Sequence, residues 1–191
     1  AAMEAAVGQE GPSEVNASIS KIYSFAAMAD KYDGFVHHTS ARTLTFTRNE
    51  PMGVIGVLCP GGQPLVAPIV CIAGAISMGN AVVLVPSDAN PLPCVELYRI
   101  LEASDVPAGV VNIVTGLHSE IEGTLADHDG VDALWHFGSR ESGADAESRS
   151  AGNLKRTWTA LGKSWDWSRM PADELLRQAT QVKNVWAPYG D

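Results

Sequence analysis

From Met52 onward the sequence runs through short, continuous apolar stretches, each separated from the next by a small-residue turn and a segment of helical length. Residues 53–58, 81–85, 110–114, 133–137 and 157–161 are the strands this predicts, because strands covered on both faces carry apolar side chains without alternation. Residues 65–78, 91–103, 118–126 and 141–152 are the intervening helices. Buried strands joined by helical crossovers predict an α/β chain, a three-layer doubly wound parallel sheet.

The flanks follow a different rhythm. Residues 14–33 predict an amphipathic helix, with Val15, Ile19, Ile22, Phe25 or Ala26, and Ala29 at helical spacing before Gly34. Residues 35–38 and 43–47 predict a β-hairpin about the Ser40-Ala41-Arg42 turn, Leu44 and Phe46 alternating with threonines. After Lys163 the βα rhythm stops, and Trp165, Asp166 and Trp167 lead into a tail with a short helix over 172–184. The chain thus divides into 1–13, small, polar and expected to be loose; 14–49, helix and hairpin; 50–164, the sheet domain; and 165–191, the tail.

A length of 191 residues has room for one Rossmann-like unit and little more. A net charge of -9 argues against nucleic acid or an anionic membrane surface as a partner. The apolar run over 65–85 has the length of a membrane span, but Pro68, Gly74, Gly79 and Asn80 divide it into a helix and a strand. Residues 1–11 lack the basic start and apolar centre of a secretory signal, and the missing initiator Met reads as a piece of a longer chain. Cys59, Cys71 and Cys94 form no CxxC pair, which fits a reduced, cytoplasmic setting. The five histidines are not spaced as a metal site, so no metal is expected.

The turns between these elements carry a resemblance. Glu50-Pro51-Met52-Gly53-Val54-Ile55-Gly56 followed by Pro60, then Met78-Gly79-Asn80-Ala81-Val82-Val83-Leu84, then Val106-Pro107-Ala108-Gly109-Val110-Val111-Asn112-Ile113-Val114, then Phe137-Gly138-Ser139, resemble successive landmarks of the aldehyde dehydrogenase superfamily in order and spacing. They span about 50–164, and the helix and hairpin before them resemble the elements that precede the family's NAD-binding domain. Each landmark also has a physical basis. Gly79-Asn80 ends a helix with residues that tolerate the left-handed conformation. Gly138-Ser139-Arg140-Glu141-Ser142-Gly143 follows a strand and opens a helix, where free N–H groups and the helix dipole suit a phosphate.

The resemblance implies catalytic groups that this sequence does not supply. Family enzymes use an Asn for the substrate oxyanion, a Lys and an acid for the adenosine ribose, a Glu as base and a Cys as nucleophile. The Asn position, within a Pro-Trp-Asn-Phe-Pro segment, matches Gly62 of Pro60-Gly61-Gly62-Gln63-Pro64. The ribose Lys matches Val85 and its acid matches Asp88, so ribose recognition is weakened by about 1–3 kcal/mol if one charged hydrogen bond is lost. The base matches Ala160 of Thr159-Ala160-Leu161-Gly162-Lys163-Ser164, and no Cys follows Cys94. Without oxyanion donor, base or thiolate there is little route to turnover. No catalytic residue is therefore assigned. The residues set against a cofactor are Gly138, Ser139, Gly143 and Asp88; no cofactor is assigned, and NAD is the candidate, with weak binding expected if it binds.

A truncated second aldehyde dehydrogenase region is a mark of family 16, and Ala151-Gly152-Asn153-Leu154-Lys155 with the closing Trp186-Ala187-Pro188-Tyr189-Gly190-Asp191 resembles the end of such a region. The resemblance implies a non-catalytic scaffold or dimerisation domain with self-association and protein partners. Its rivals are a retained NAD-binding module and an accessory part of an NAD-dependent oxidoreductase acting on aldehydes. At residue level, Gly138, Ser139 and Gly143 are either a phosphate turn or a turn kept for its backbone geometry. Cys59 reads as core packing rather than as a nucleophile, there being no obvious base nearby. Trp158, Trp165, Trp167 and Trp186 either cap a raw edge or form a docking patch.

Overall fold

A computed structural model describes residues 1–40 and 42–189. The chain opens with α1 (Ala2–Val7) and α2 (Gly11–Met28), then β1 (Val36–His37) and β2 (Thr43–Pro51), which pair antiparallel. Ala41, in the expected hairpin turn, lies outside the described residues. The first thirteen residues, expected to be loose, include α1 and the start of α2. The stretch Ala2-Met3-Glu4-Ala5-Ala6-Val7 is rich in good helix formers, and Met3 and Val7 pack against the main core.

The central domain follows as β3 (Val54–Leu58), α3 (Val66–Ser77), β4 (Ala81–Val85), α4 (Leu92–Glu102), β5 (Val111–Ile113), α5 (His118–Asp127), β6 (Ala133–His136), α6 (Arg140–Ser150) and β7 (Arg156–Thr159). Its five strands are parallel, in the order β5-β4-β3-β6-β7, so the chain winds outward from β3 on one side and then crosses to β6 on the other. Alternate side chains feed two cores. Ile55, Val57, Val82, Leu84, Ala133 and Trp135 face α3 and α4, whereas Leu58, Val85 and Leu134 face α5 and α6 with Leu125, Ala126 and Ala146. This is the expected three-layer doubly wound sheet. Each buried Leu, Ile or Val contributes about 1.5–3 kcal/mol of burial. The seam from α3 to β4 turns on Gly79, whose φ of +86° is in the left-handed region.

The tail departs from expectation. Residues 172–184 are not one helix: α7 (Ala172–Gln178) stops at Ala179, and β8 (Thr180–Pro188) runs antiparallel to β2 along nine residue pairs, from Pro51↔Thr180 to Thr43↔Pro188. The Thr-Gln-Val-Lys-Asn-Val-Trp run has β-branched residues enough for a strand. Three strands, β1-β2-β8, make a separate arm sheet. Asn80 fastens arm to core: it accepts from the Gly53 N–H at 3.0 Å and donates to Ala75 O at 2.9 Å and Ala179 O at 2.8 Å. Among the described residues no helix is long and apolar enough to cross a membrane.

Candidate functional site

In an open parallel sheet ligands bind beyond the carboxyl ends of the strands, where the winding reverses. Here that point lies between β3 and β6, so the loop after β3, with Gly62, faces the turn after β6, with Gly138 and Ser139. The turns after β4 and β7 bring Asp88 and Ala160 to the same end of the sheet.

Ser139 is the N-cap of α6: its Oγ accepts the Ser142 N–H at 3.1 Å and lies 2.9 Å from the Ser142 Oγ. Gly138 is required by what lies beneath it. A Cβ there would stand 2.7 Å from Cε1 of His136, and a Cβ at Gly143 would come within 3.2 Å of Leu161. His136, 1% exposed, accepts the Gly138 N–H on Nδ1 at 3.2 Å. Its Nε2 therefore carries the proton and faces the Glu122 carboxylate at 3.3 Å. The missing side chains at Gly138 and Gly143 thus make room for the protein's own residues.

Asp88, after β4, accepts the first N–H of α5 from His118 at 2.9 Å, and His118 Nε2 lies 2.8 Å from Pro86 O. The carboxylate thus satisfies an otherwise orphaned helix N–H. Val85, where the family pattern has Lys, is fully buried among Leu58, Leu125 and Leu134. Val85 thus offers no charged donor at the position aligned with Lys, and one oxygen of the Asp88 carboxylate is engaged in capping α5.

Gly62 has nothing within 4 Å of its missing Cβ, so the position stands open and carries no side-chain donor. Ala160 is buried in the main core, its N–H bonded to His136 O at 2.9 Å. A ring cluster covers this end. Phe137 meets Trp158, Trp165 and Trp167 edge-on at centroid distances of 5.1, 5.4 and 4.7 Å, and Trp158 stacks on Trp165 at 5.2 Å. Gln63 holds the cover in place, accepting the Trp167 N–H at 2.7 Å and donating to Asp166 at 3.1 Å. Lys21 of α2 adds a bond to Met170 O at 2.7 Å, and partial burial lowers its pKa. A cleft of about 400 Å³ beside these rings is lined by Trp158, Trp165, Asp166 and Arg169, among others. Of the four tryptophans considered as cap or docking patch, three belong to the cap, and Trp186 stands exposed on β8.

Sequence reasoning passed over Gln63, which stands in the aligned Pro60–Pro64 segment with a φ of +54°, and Glu14, which is buried. Glu14 reaches from α2 to accept the Leu65 and Val66 N–H groups at the start of α3, at 3.0 and 3.1 Å. The only prior signal for either was a polar residue among apolar or small neighbours.

All three thiols are buried, and burial is the main cause that raises their pKa values: Cys59 and Cys71 well above the ordinary range, Cys94 to about 12. A thiol that resists ionisation in this way is a poor nucleophile. The unfolded chain loses these protons near pH 8.5 while the native chain keeps them, so the native state binds more protons above that pH. Stability is therefore expected to fall as pH rises from about 8.5 toward 12, by up to about 1.4 kcal/mol per pH unit for each thiol. Urea unfolding at pH 7.5, 9 and 10 checks this; Cys94→Ala should flatten the slope relative to the parent, and an unchanged slope would refute it.

The aldehyde dehydrogenase family model matches residues 5–164. Over 150 residues the chain is 35% identical to an aldehyde dehydrogenase of Agaricus bisporus and 34% identical to cytosolic aldehyde dehydrogenase 1 of Mus musculus, in each case covering 78% of this chain and 30% of the relative. A betaine aldehyde dehydrogenase of Staphylococcus aureus, solved in complex with NAD+, superposes with a TM-score of 0.75 at 26% identity, over 80% of this chain and 31% of that one. The chain spans under a third of the length of these proteins.

Proposed function

Because the chain belongs to the aldehyde dehydrogenase family, we propose that it is a non-catalytic domain of that family, the truncated second region of a family 16 member, serving as a scaffold for dimerisation or protein docking. The observation that carries this reading is Ala160, which stands at the position aligned with the general base, is buried and has no group that could accept a proton. The arm sheet supplies the complementary argument. It exposes Val36, Leu44, Val182 and Trp186, apolar surface left uncovered among the described residues. The cytosolic relative and the three unpaired thiols support a cytoplasmic setting.

The purified chain, incubated with NAD and short aliphatic or aromatic aldehydes, is expected to form no NADH above a protein-free blank. Aldehyde-dependent turnover that scales with protein would sink the reading.

A second reading, retained NAD binding, draws on the α6 turn and on the NAD+ in the S. aureus structure. Calorimetric titration with NAD separates the two. With Val85 in place of a cation and Asp88 engaged, no heat is expected at millimolar cofactor, whereas saturable heat at micromolar concentrations would favour the rival. In a full-length protein the domain would accompany an aldehyde-oxidising region rather than perform that oxidation.

A further inference from the structure

The cleft beside the ring cluster combines apolar surface with hydrogen-bonding groups that the chain itself does not use. Trp158 and Trp165, stacked at 5.2 Å and each partly exposed, line it together with Met170 and Pro171. Neither indole N–H has an acceptor among the described residues, and the hydroxyl of Ser164, also in the lining, has no partner there. Packed tryptophans usually spend their N–H, so these donors are free for an acceptor brought from outside. Two carboxylates complete the rim. Asp166 gives Oδ1 to Gln63 and Ser168 and keeps Oδ2 beside the exposed Arg169, at 3.4 Å. Glu174 accepts on Oε1 from Arg177 at 2.7 Å and Gln178 at 3.1 Å, and its Oε2 has no partner among the described residues. The Ser168 hydroxyl beside Asp166 and the Arg177 guanidinium beside Glu174 hold both carboxyls below the usual carboxylate range, so both are charged at neutral pH. The other cations nearby are engaged elsewhere, Arg156 on Thr180 O and Lys21 on Met170 O, each at 2.7 Å.

We propose that this cleft is a docking site for a proline-rich segment of another protein, with a basic residue flanking the prolines. The site gives the protein-docking role above its partner and rests on that reading. A segment in the polyproline II conformation makes no internal hydrogen bonds, so its carbonyls project as a regular row of unspent acceptors. Proline rings pack on aromatic surface, and the N–H groups of Trp158 and Trp165 with the Ser164 hydroxyl supply the donors that those carbonyls lack. An apolar small molecule would use the rings and leave all three donors unanswered, whereas a proline-rich backbone uses both. The preorganised polyproline helix also loses little conformational freedom on docking. Charge complementarity sets the flank: the free Oε2 of Glu174 suits an arginine or lysine next to the prolines, and the net charge of -9 draws a basic segment toward the surface.

The test is a titration of the nitrogen-15-labelled chain with an octaproline peptide carrying two arginines at one end, followed at the indole N–H resonances. Those of Trp158 and Trp165, assigned through their phenylalanine variants, are expected to shift saturably with a dissociation constant on the order of 100 µM, while that of Trp186 stays in place. A peptide with glycine and serine in place of the prolines, and the same two arginines, should leave them unmoved. Trp165→Phe keeps a ring but removes the N–H, and should weaken binding about 10-fold. Glu174→Gln should weaken the arginine-flanked peptide about 5-fold and leave unflanked octaproline unchanged, so a fold defect in the ring variant does not decide the matter. Leu154→Lys, at an exposed site on another surface, should change neither affinity. Resonances unmoved at about 2 mM proline peptide, equal binding of the glycine-serine peptide, or an affinity insensitive to both cleft variants would each overturn the proposal. A chain that binds no proline peptide and forms no NADH loses the cleft and keeps the non-catalytic reading, whereas peptide binding in a chain that turns over aldehyde overturns that reading and keeps the cleft.

Discussion

Trp167→Ala is expected to destabilise the chain by about 3–5 kcal/mol, the range for removing a buried large aromatic side chain. Trp167 is 2% exposed and lies edge-on to Phe137, so the substitution deletes both its burial and a ring pair at the point where the tail closes the sheet. Its backbone bond to Gln63 survives, which confines the loss to the side chain. Urea unfolding should show a lower midpoint with an unchanged slope, and near-UV circular dichroism should lose intensity as the ring cluster loosens. Trp186→Ala, on the exposed strand, is the matched control and should change monomer stability by less than about 0.5 kcal/mol. Equal losses from the two substitutions would show that the ring cover does not seal the fold.

Glu14→Ala should cost about 2–4 kcal/mol. The carboxylate is buried, and two N–H groups at the start of α3 depend on it. Removing it leaves both without partners in the interior and takes a negative charge from the positive end of a helix dipole. Glu14→Gln retains an acceptor oxygen but not the charge, so it should recover roughly half of the loss. Thermal unfolding of the three proteins at one pH gives the ranking directly. If alanine and parent unfold at the same temperature, water must satisfy α3 equally well and α2 is not fastened in this way.

The five-stranded sheet is legible in the sequence because each of its strands is buried on both faces and therefore appears as an apolar run. The offsets occur where ladders fray: Val110 and Val114 still bond to Val82 and Leu84, yet lie just outside β5. The positions that would carry catalysis are legible for a different reason, since Gly62, Val85 and Ala160 are identified by the turns around them rather than by their own side chains. β8 is hidden by the physics that makes the sheet visible. Most of its residues are exposed and show no buried face, so Thr180 to Asn184 read as a continuation of the helix over 172–184. Glu14 and Gln63 were missed because their partners, α3 and Trp167, are remote in sequence.

The arm sheet also bears on the order in which the parts of this domain form. Thr43 finds its partner in Pro188 and Pro51 in Thr180, so β2 must wait for a segment about 130 residues further on before its ladder can close. The parallel sheet, built from neighbouring βαβ units, can form while the tail is still being made. Pairings between such distant segments carry a loop-closure cost and form late. Until then the inward edge of β2 stays unsatisfied on a nascent domain, a window in which strand-to-strand misassembly competes with folding. A chain in which residues 180–188 have yet to dock is then a folded core with an unpaired β2, and β8 is the element whose arrival ends that exposure.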